Sequence, residues 1–306
     1  MDTLSTNGDA HFSKFTILTT VYKTVGKHDI TASILYPQKL LSPAFFAPWH
    51  LELAERESAV IVTPNYRFIP ESSMQDILTD IEDFWAWMHK SLPSYLASAT
   101  NNSVKLDLGR IMATGDSAGG FLSLHLGLSH PDEIRSVAAA YPAIDMKSKD
   151  YTQPRDYPVL GQPTYPLSLM SDHRERVQTQ EAETGEMVII SSDPGLERAV
   201  LFFACVQHGM LSEWFPPEQR GLFIIDRVQD GARFPRGGVF VWHGRKDTVI
   251  PIAGTLKLKS TIEEADPELN FRVAVLDGEH GVDRSSSITD EWMADGLSDI
   301  VKAWLV

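Results

Sequence analysis

The sequence predicts an α/β fold, a mostly parallel central sheet flanked by helices, in one domain spanning 1–306. Three observations predict it. Short runs that are apolar throughout recur along the chain, helical stripes separate the later ones, and a single long stretch, 146–235, interrupts the rhythm. Parallel strands are buried on both faces, so they read as near-continuous apolar runs, not as alternating ones.

The strand-like runs are, in order, "KFTILTTVYK", "ITASILYP", "AVIVTPNYR", "GRIMATGD", "SVAAAYPAID", "GVFVWHG" and "FRVAVLDG". Between the third and fourth, "SMQDILTDIEDFWAWMHKSL" sets Met74, Ile77, Leu78, Ile81, Phe84, Trp85 and Met88 on one helical stripe, and its Trp and Met cluster reads as core. "SAGGFLSLHLGLSH" follows the fourth strand directly, and "DEWMADGLSDIVKAWLV" closes the chain as a helix. The interrupting stretch is rich in Pro, Tyr and charge and has one better helix, around Glu197–Met210. A long insertion between late strands is expected to form a lid or cap.

Composition narrows the function classes. With 43% hydrophobic and 22% charged residues the chain is ordinary for a globular protein. Cys205 is the single cysteine, so no disulfide forms within the chain. The formal charge of −14 and the lack of basic runs argue against nucleic acid and anionic membrane as partners. The polar start "MDTLSTNGDAHFSK" has no signal-like apolar core, and no uninterrupted apolar run reaches the ~18 residues of a membrane span. The expected location is cytoplasmic.

"IMATGDSAGG" carries the most chemistry. Gly115-Asp116-Ser117-Ala118-Gly119 falls between an apolar strand and a helix, the setting of a nucleophile elbow. Gly115 and Gly119 are expected to permit a sharp turn that leaves the Ser117 hydroxyl exposed at a helix N-terminus. There the helix dipole and the Ala118 N–H face any developing oxyanion. A serine needs a base, and the base an orienting carboxylate. Asp247, just after the sixth strand, and His280, just after the seventh, supply them in the chain order Ser, Asp, His.

Asp116 and Glu279 flank two of these residues and are expected to point elsewhere. His125 and His130 read as packing, and His243 as part of the strand-end loop before Asp247. His50, His89, His173 and His208 have no matched partner in the sequence. No spacing suggests a metal site, and neither metal nor cofactor is expected.

These pieces, with "VTPNYRFIPES", "YPAID", "HGRKD" and "GEHG", resemble the hormone-sensitive-lipase-like branch of the α/β-hydrolases, in particular small esterase-like members of fungal secondary-metabolite pathways. The resemblance runs from about residue 30 to the end. It implies an α/β-hydrolase fold with Ser117 as nucleophile, Asp247 as orienting acid, His280 as base and Ala118 as oxyanion donor. It also implies Glu71 as a structural buttress near the site and Asp80 as a buttress of the helix that follows.

One motif is missing. Members of that branch carry a third strand ending in His-Gly-Gly-Gly, whose backbone N–H groups bind the oxyanion. Here Pro37 is followed by "QKLLSPA" and then by helix-like "FFAPWHLELA". The third strand is therefore expected to be absent or disrupted, since a strand takes about 5–6 residues plus its connections.

The expected function is hydrolysis of a carboxylic ester through an acyl-enzyme on Ser117, and the resemblance implies a place in specialised metabolism. The alternatives are a catalytically impaired binding protein and an acyl-transferring or lactonising pathway enzyme. Tyr151, Tyr157, Tyr165, Trp214 and Phe215 in 146–235 suggest an apolar, mid-sized acyl or alcohol group. The oligomeric state is not legible.

Overall fold

The computed structural model describes residues 14–37 and 47–306. Seven strands lie where the apolar runs place them: β1 (Phe15–Val25), β2 (His28–Pro37), β3 (Ile61–Pro64), β4 (Ile111–Asp116), β5 (Ile134–Ala140), β6 (Val239–Gly244) and β7 (Phe271–Leu276). They form two groups. β1, β2 and β3 pair antiparallel in that order, and β4, β5, β6 and β7 pair parallel in that order. The mostly parallel central sheet is thus the β4–β7 group, and the first three strands pair antiparallel beside it.

The parallel strands are apolar on both faces because each face meets its own helical layer. Val137, Ala139, Val239 and Val241 join a core cluster with Phe84, Leu124 and Leu258. Their neighbours Ala138, Ala140, Phe240 and Trp242 join a second cluster with Trp49, Met293, Leu297 and Ile300. Successive residues point to opposite faces, and both faces are dry. The first layer contains α2 (Met74–Lys90), α4 (Ala118–Ser129) and α9 (Ala253–Ala265), and the second α1 (Pro48–Glu57) and α10 (Glu291–Leu305). A short α3 (Leu92–Ala99) follows α2.

α2 starts where its sequence says it should. The Ser73 hydroxyl accepts from the Asp76 N–H at 3.1 Å, and the Asp76 carboxylate accepts from the Ser73 N–H at 3.0 Å, a reciprocal cap. Met74, Ile77, Ile81, Phe84, Trp85 and Met88 form its buried face. Asp80 sits on this same helix, fully buried, and accepts from Arg67 and from Lys23 of β1. It ties α2 to the strand layer instead of supporting a later helix.

Between β5 and β6 run α5 (Lys149–Thr152), α6 (Ser168–Thr184), α7 (Ala199–Gln207) and α8 (Ile224–Gln229). The helix expected around Glu197–Met210 is α7, slightly shorter.

The two strand groups meet at a gap. β3 pairs only with β2 and β4 only with β5, and no strand among the described residues pairs with their other edges. The stretch "QKLLSPA", on which the expected loss of a third strand turns, lies outside the described residues. No described helix is long and apolar enough to cross a membrane.

Candidate active site

Ser117 sits in the tight turn from β4 into α4, at φ 55° and ψ −114°. A non-glycine residue at positive φ is strained, and such strain collects at functional sites. Two contacts hold it: the Ser117 N–H donates to Ala140 O at 2.9 Å, and Phe121 N–H donates to Ser117 O at 3.0 Å. A Cβ on Gly115 would lie 2.4 Å from the Gly119 backbone, so only glycine fits there. Gly119 differs, because a Cβ there meets nothing within 4 Å. The second tight position is Gly120, where a Cβ would approach Ala140 O at 3.0 Å. Ala118 opens α4, and the N–H groups of a first helical turn have no intrahelical acceptor.

The loops after β6 and β7 bring two more groups to this serine. His280 Nε2 lies 3.0 Å from Ser117 Oγ, and His280 Nδ1 lies 2.8 Å from Asp247 Oδ2. A carboxylate can only accept, so Nδ1 carries the proton and the Nε2 lone pair faces the serine hydroxyl. Asp247 Oδ1 accepts from the Val249 and Ile250 N–H groups at 2.9 and 2.8 Å. Burial alone would raise this carboxyl, but hydrogen bonds from His243 and His280 and the backbone bond from Ile250 outweigh it and bring it down to about 2.

Four further residues fix the geometry, and sequence reasoning gave them no role here. His243 is fully buried, with Nε2 2.7 Å from Ile250 O and 3.4 Å from Asp247 Oδ2, and Nδ1 2.9 Å from Thr255 Oγ1. Both neighbours of Nε2 are acceptors, so it is protonated there and Nδ1 accepts from Thr255. Glu279 points away from the serine, as expected, and accepts from Thr248, clamping the His280 loop to the Asp247 loop. Tyr141 lays its ring edge against the His280 ring, 4.6 Å between centroids. Asp283 is fully buried and accepts from the Trp49 and Trp242 indoles at 3.1 and 2.9 Å, anchoring the His280 loop from behind. Burial and the nearby Asp116 charge push its carboxyl up.

All four histidines read as lacking a partner have one: His89 Nδ1 lies 3.0 Å from Trp85 O, and His208 Nε2 2.8 Å from Tyr165 O. His50 of α1 lies 3.2 Å from Asp116 Oδ1, so Asp116 turns away from the site and has a partner. His173 of α6 has its Nε2 2.7 Å from Glu71 Oε1. Glu71 is a junction: Arg198 also donates to it, at 2.9 and 2.6 Å, and the Glu71 side chain is 1% exposed. These contacts join the loop after β3 to 146–235. Two of the five aromatics read as substrate-facing are core instead. Tyr151 and Phe215 are 3% and 7% exposed, and Phe215 packs on Phe121 and Phe223.

Among the described residues no group of three or more His, Cys, Asp or Glu could hold a metal ion. Ala118 follows Ser117 as the first residue of α4, and the sequence holds no His-Gly-Gly-Gly run.

Parallel strands feeding helices, and a strained serine at one strand end bonded to a histidine that is bonded to an acid, define the class of α/β-hydrolase-fold proteins. A family model described as alpha/beta hydrolase fold matches residues 40–183. "Probable carboxylesterase M8" of Phoma sp. is 27% identical over 325 aligned residues, covering 97% of this chain and 99% of that one. The alignment is longer than the 306 residues here, so at least 19 of its positions have no counterpart in this chain. "Probable carboxylesterase clz11" of Cochliobolus lunatus is 39% identical over 104 residues, 34% of this chain and 47% of that one. Carboxyl esterase 2 from the mycorrhizal fungus Tuber melanosporum shares the fold, with a TM-score of 0.57 at 13% identity over 98% of this chain and 88% of that one. The chain has the α/β-hydrolase fold and is similar to proteins named as carboxylesterases.

Proposed function

We propose that the protein hydrolyses a carboxylic ester through an acyl-enzyme on Ser117. The observation that carries the reading is the hydrogen-bonded chain Ser117–His280–Asp247, with the acid kept ionised at one end and a free lone pair facing the hydroxyl at the other. Ser117 Oγ attacks the ester carbonyl as its proton passes to His280 Nε2, and Asp247 stabilises the imidazolium. Ala118 N–H donates to the oxyanion. The tetrahedral intermediate collapses, the C–O bond breaks, and the departing alcohol takes the proton from Nε2. Water then attacks the acyl-enzyme, giving its proton to the same nitrogen, and Ser117 is regenerated with release of the acid.

The segment 146–235 serves as a lid over this site, joined to the body through Glu71. The substrate class is a small-molecule ester with an apolar, mid-sized acyl or alcohol group. Tyr157, Tyr165 and Trp214, half-buried in that segment, are the aromatics that shape that choice. The motif resemblance supports a specialised-metabolite ester. The sequence has no His-Gly-Gly-Gly run, and loss of one oxyanion donor costs ~10²–10³ in kcat, so slow turnover is expected.

The test is a panel of p-nitrophenyl esters of rising acyl length, measured for the chain and for Ser117→Ala. Turnover of mid-length esters that the variant loses supports the reading. Equal release by both proteins overturns it.

A further inference from the structure

Arg155 lies in 146–235, between α5 and α6, and its side chain reaches the loop that carries Asp247. Its Nη1 donates to Thr248 O at 3.1 Å and its Nη2 to Val249 O at 3.2 Å. Each of these carbonyls shares a peptide plane with an N–H that holds the aspartate. The Thr248 carbonyl is joined to the Val249 N–H, and the Val249 carbonyl to the Ile250 N–H. Those two N–H groups are the donors to Asp247 Oδ1, at 2.9 and 2.8 Å. One guanidinium fork therefore stands behind both peptides that hold the acid.

The arrangement is electrostatic as well as mechanical. A peptide is planar and stiff, so fixing its carbonyl aims its N–H. A hydrogen bond accepted by the carbonyl also polarises that N–H, and bonds in such a chain strengthen one another. Here each chain begins on a cation and ends on a carboxylate, so the bonds at both ends are charge-assisted. Among the described residues, the other acceptors of the guanidinium are neutral: Asp150 O, 2.8 Å from Nε, and the Tyr157 hydroxyl, bonded to Nη1. The Tyr151 and Tyr157 ring centroids lie 5.8 and 5.3 Å from its Cζ and help to hold it.

A second strap comes from the same stretch. Leu160, held at φ 50°, donates its N–H to Thr248 Oγ1 at 2.9 Å, and that hydroxyl donates to Glu279 Oε2 at 2.8 Å. Glu279 immediately precedes His280. Residues 155–160 thus act on the acid loop directly and on the base loop through Thr248. On the other side, the Arg155 N–H donates to Gln207 O of α7 at 2.8 Å, which fixes the stretch to the rest of 146–235.

We propose that Arg155 is a positioning residue for Asp247. Acting through the Thr248–Val249 and Val249–Ile250 peptides, its guanidinium sets the aspartate against His280 Nδ1, and the triad is complete only while residues 155–160 are seated on the acid loop. The use of that triad in ester hydrolysis rests on the hydrolase reading. The coupling of Arg155 to the Asp247–His280 pair does not.

The test is proton NMR of the full chain, read at the low-field resonance of the His280 Nδ1–H and assigned by its loss in His280→Ala. Exchange of the Val249 and Ile250 amides is read alongside. Arg155→Ala should move the resonance upfield or erase it, and speed exchange at both amides about tenfold, the effect of losing one charge-assisted bond. Arg155→Lys keeps the charge but is a point donor that cannot span two carbonyls. It should fall between the two, and it decides the outcome if the alanine variant does not fold. Glu71→Ala loosens the same segment at its other anchor and should leave the resonance in place. An unmoved resonance in Arg155→Ala, a lysine variant that matches the parent, equal loss in Glu71→Ala, or a parent with no such resonance overturns the proposal. Fluorophosphonate labelling of Ser117 is read on the same proteins, and Arg155→Ala should slow it by up to ~10²-fold. A resonance that moves as expected in a protein that takes no label supports the positioning role and counts against the hydrolase reading. Labelling in a protein whose resonance does not respond to Arg155 does the reverse.

Discussion

His280 Nδ1 and Asp247 Oδ2 are 2.8 Å apart, and the aspartate is held there by two backbone N–H groups on its other oxygen. The pair links two loops 33 residues apart in sequence, and it decides which nitrogen of His280 faces Ser117. Its strength shows in the Asp247 carboxyl, which is brought down to about 2 in spite of burial.

That shift predicts a pH signature. The folded value lies below the unfolded one of 3.8, so the pair adds stability above pH 4 that is lost as pH falls towards 2. The amount is about 2 kcal/mol at neutral pH. Asp247→Asn should therefore be less stable than the parent by about that much at pH 7, with the two converging near pH 2. Urea unfolding at a series of pH values measures it. A constant difference across the range would show that the aspartate charge is not what stabilises the loop.

The elbow predicts an asymmetry between two glycines of one motif. Gly115→Ala forces a Cβ into the Gly119 backbone, and overpacking of this kind costs about 1–3 kcal/mol or more. Gly119→Ala meets open space on a helix and should be neutral or stabilising by up to about 1 kcal/mol. Thermal unfolding of the two variants decides it, and equal destabilisation would contradict the turn geometry.

Glu71 predicts how 146–235 is fastened. Its nearly fully buried carboxylate accepts from Arg198 of the insertion and pairs with His173 of α6. Glu71→Ala leaves a cation without its partner and should cost about 3 kcal/mol. Limited proteolysis should then cut first within 168–207. Loss of stability with no change in the cleavage order would place the contact's role elsewhere.

The sequence carried the parallel half of the fold almost completely. Runs such as "SVAAAYPAID" and "GVFVWHG" are apolar at every position because both of their faces are covered. α6 was hidden for the opposite reason. Of its residues only Met170 is buried, so there is no apolar stripe to read. The long-range polar pairs were illegible too: His50–Asp116, His173–Glu71 and Asp283 with its two indoles join residues 41 to 234 positions apart. No local pattern encodes such pairs, because the partner is chosen by how the layers stack. The serine, acid and base differ in kind, since each sits just past the end of a strand that could be read on its own.

The direct test of the central claim is covalent. The full chain is treated with a fluorophosphonate, with His280→Ala and Ser117→Ala alongside, and intact mass and peptide mapping locate any adduct. Ser117→Ala leaves no hydroxyl to label, and His280→Ala should lower the labelling rate by at least ~10³-fold. One adduct per chain on Ser117, absent from the serine variant and slowed in the histidine variant, is the result predicted. A cooperatively folded parent that takes up no probe, or takes it up on another residue, would contradict the assignment of Ser117 as an activated nucleophile.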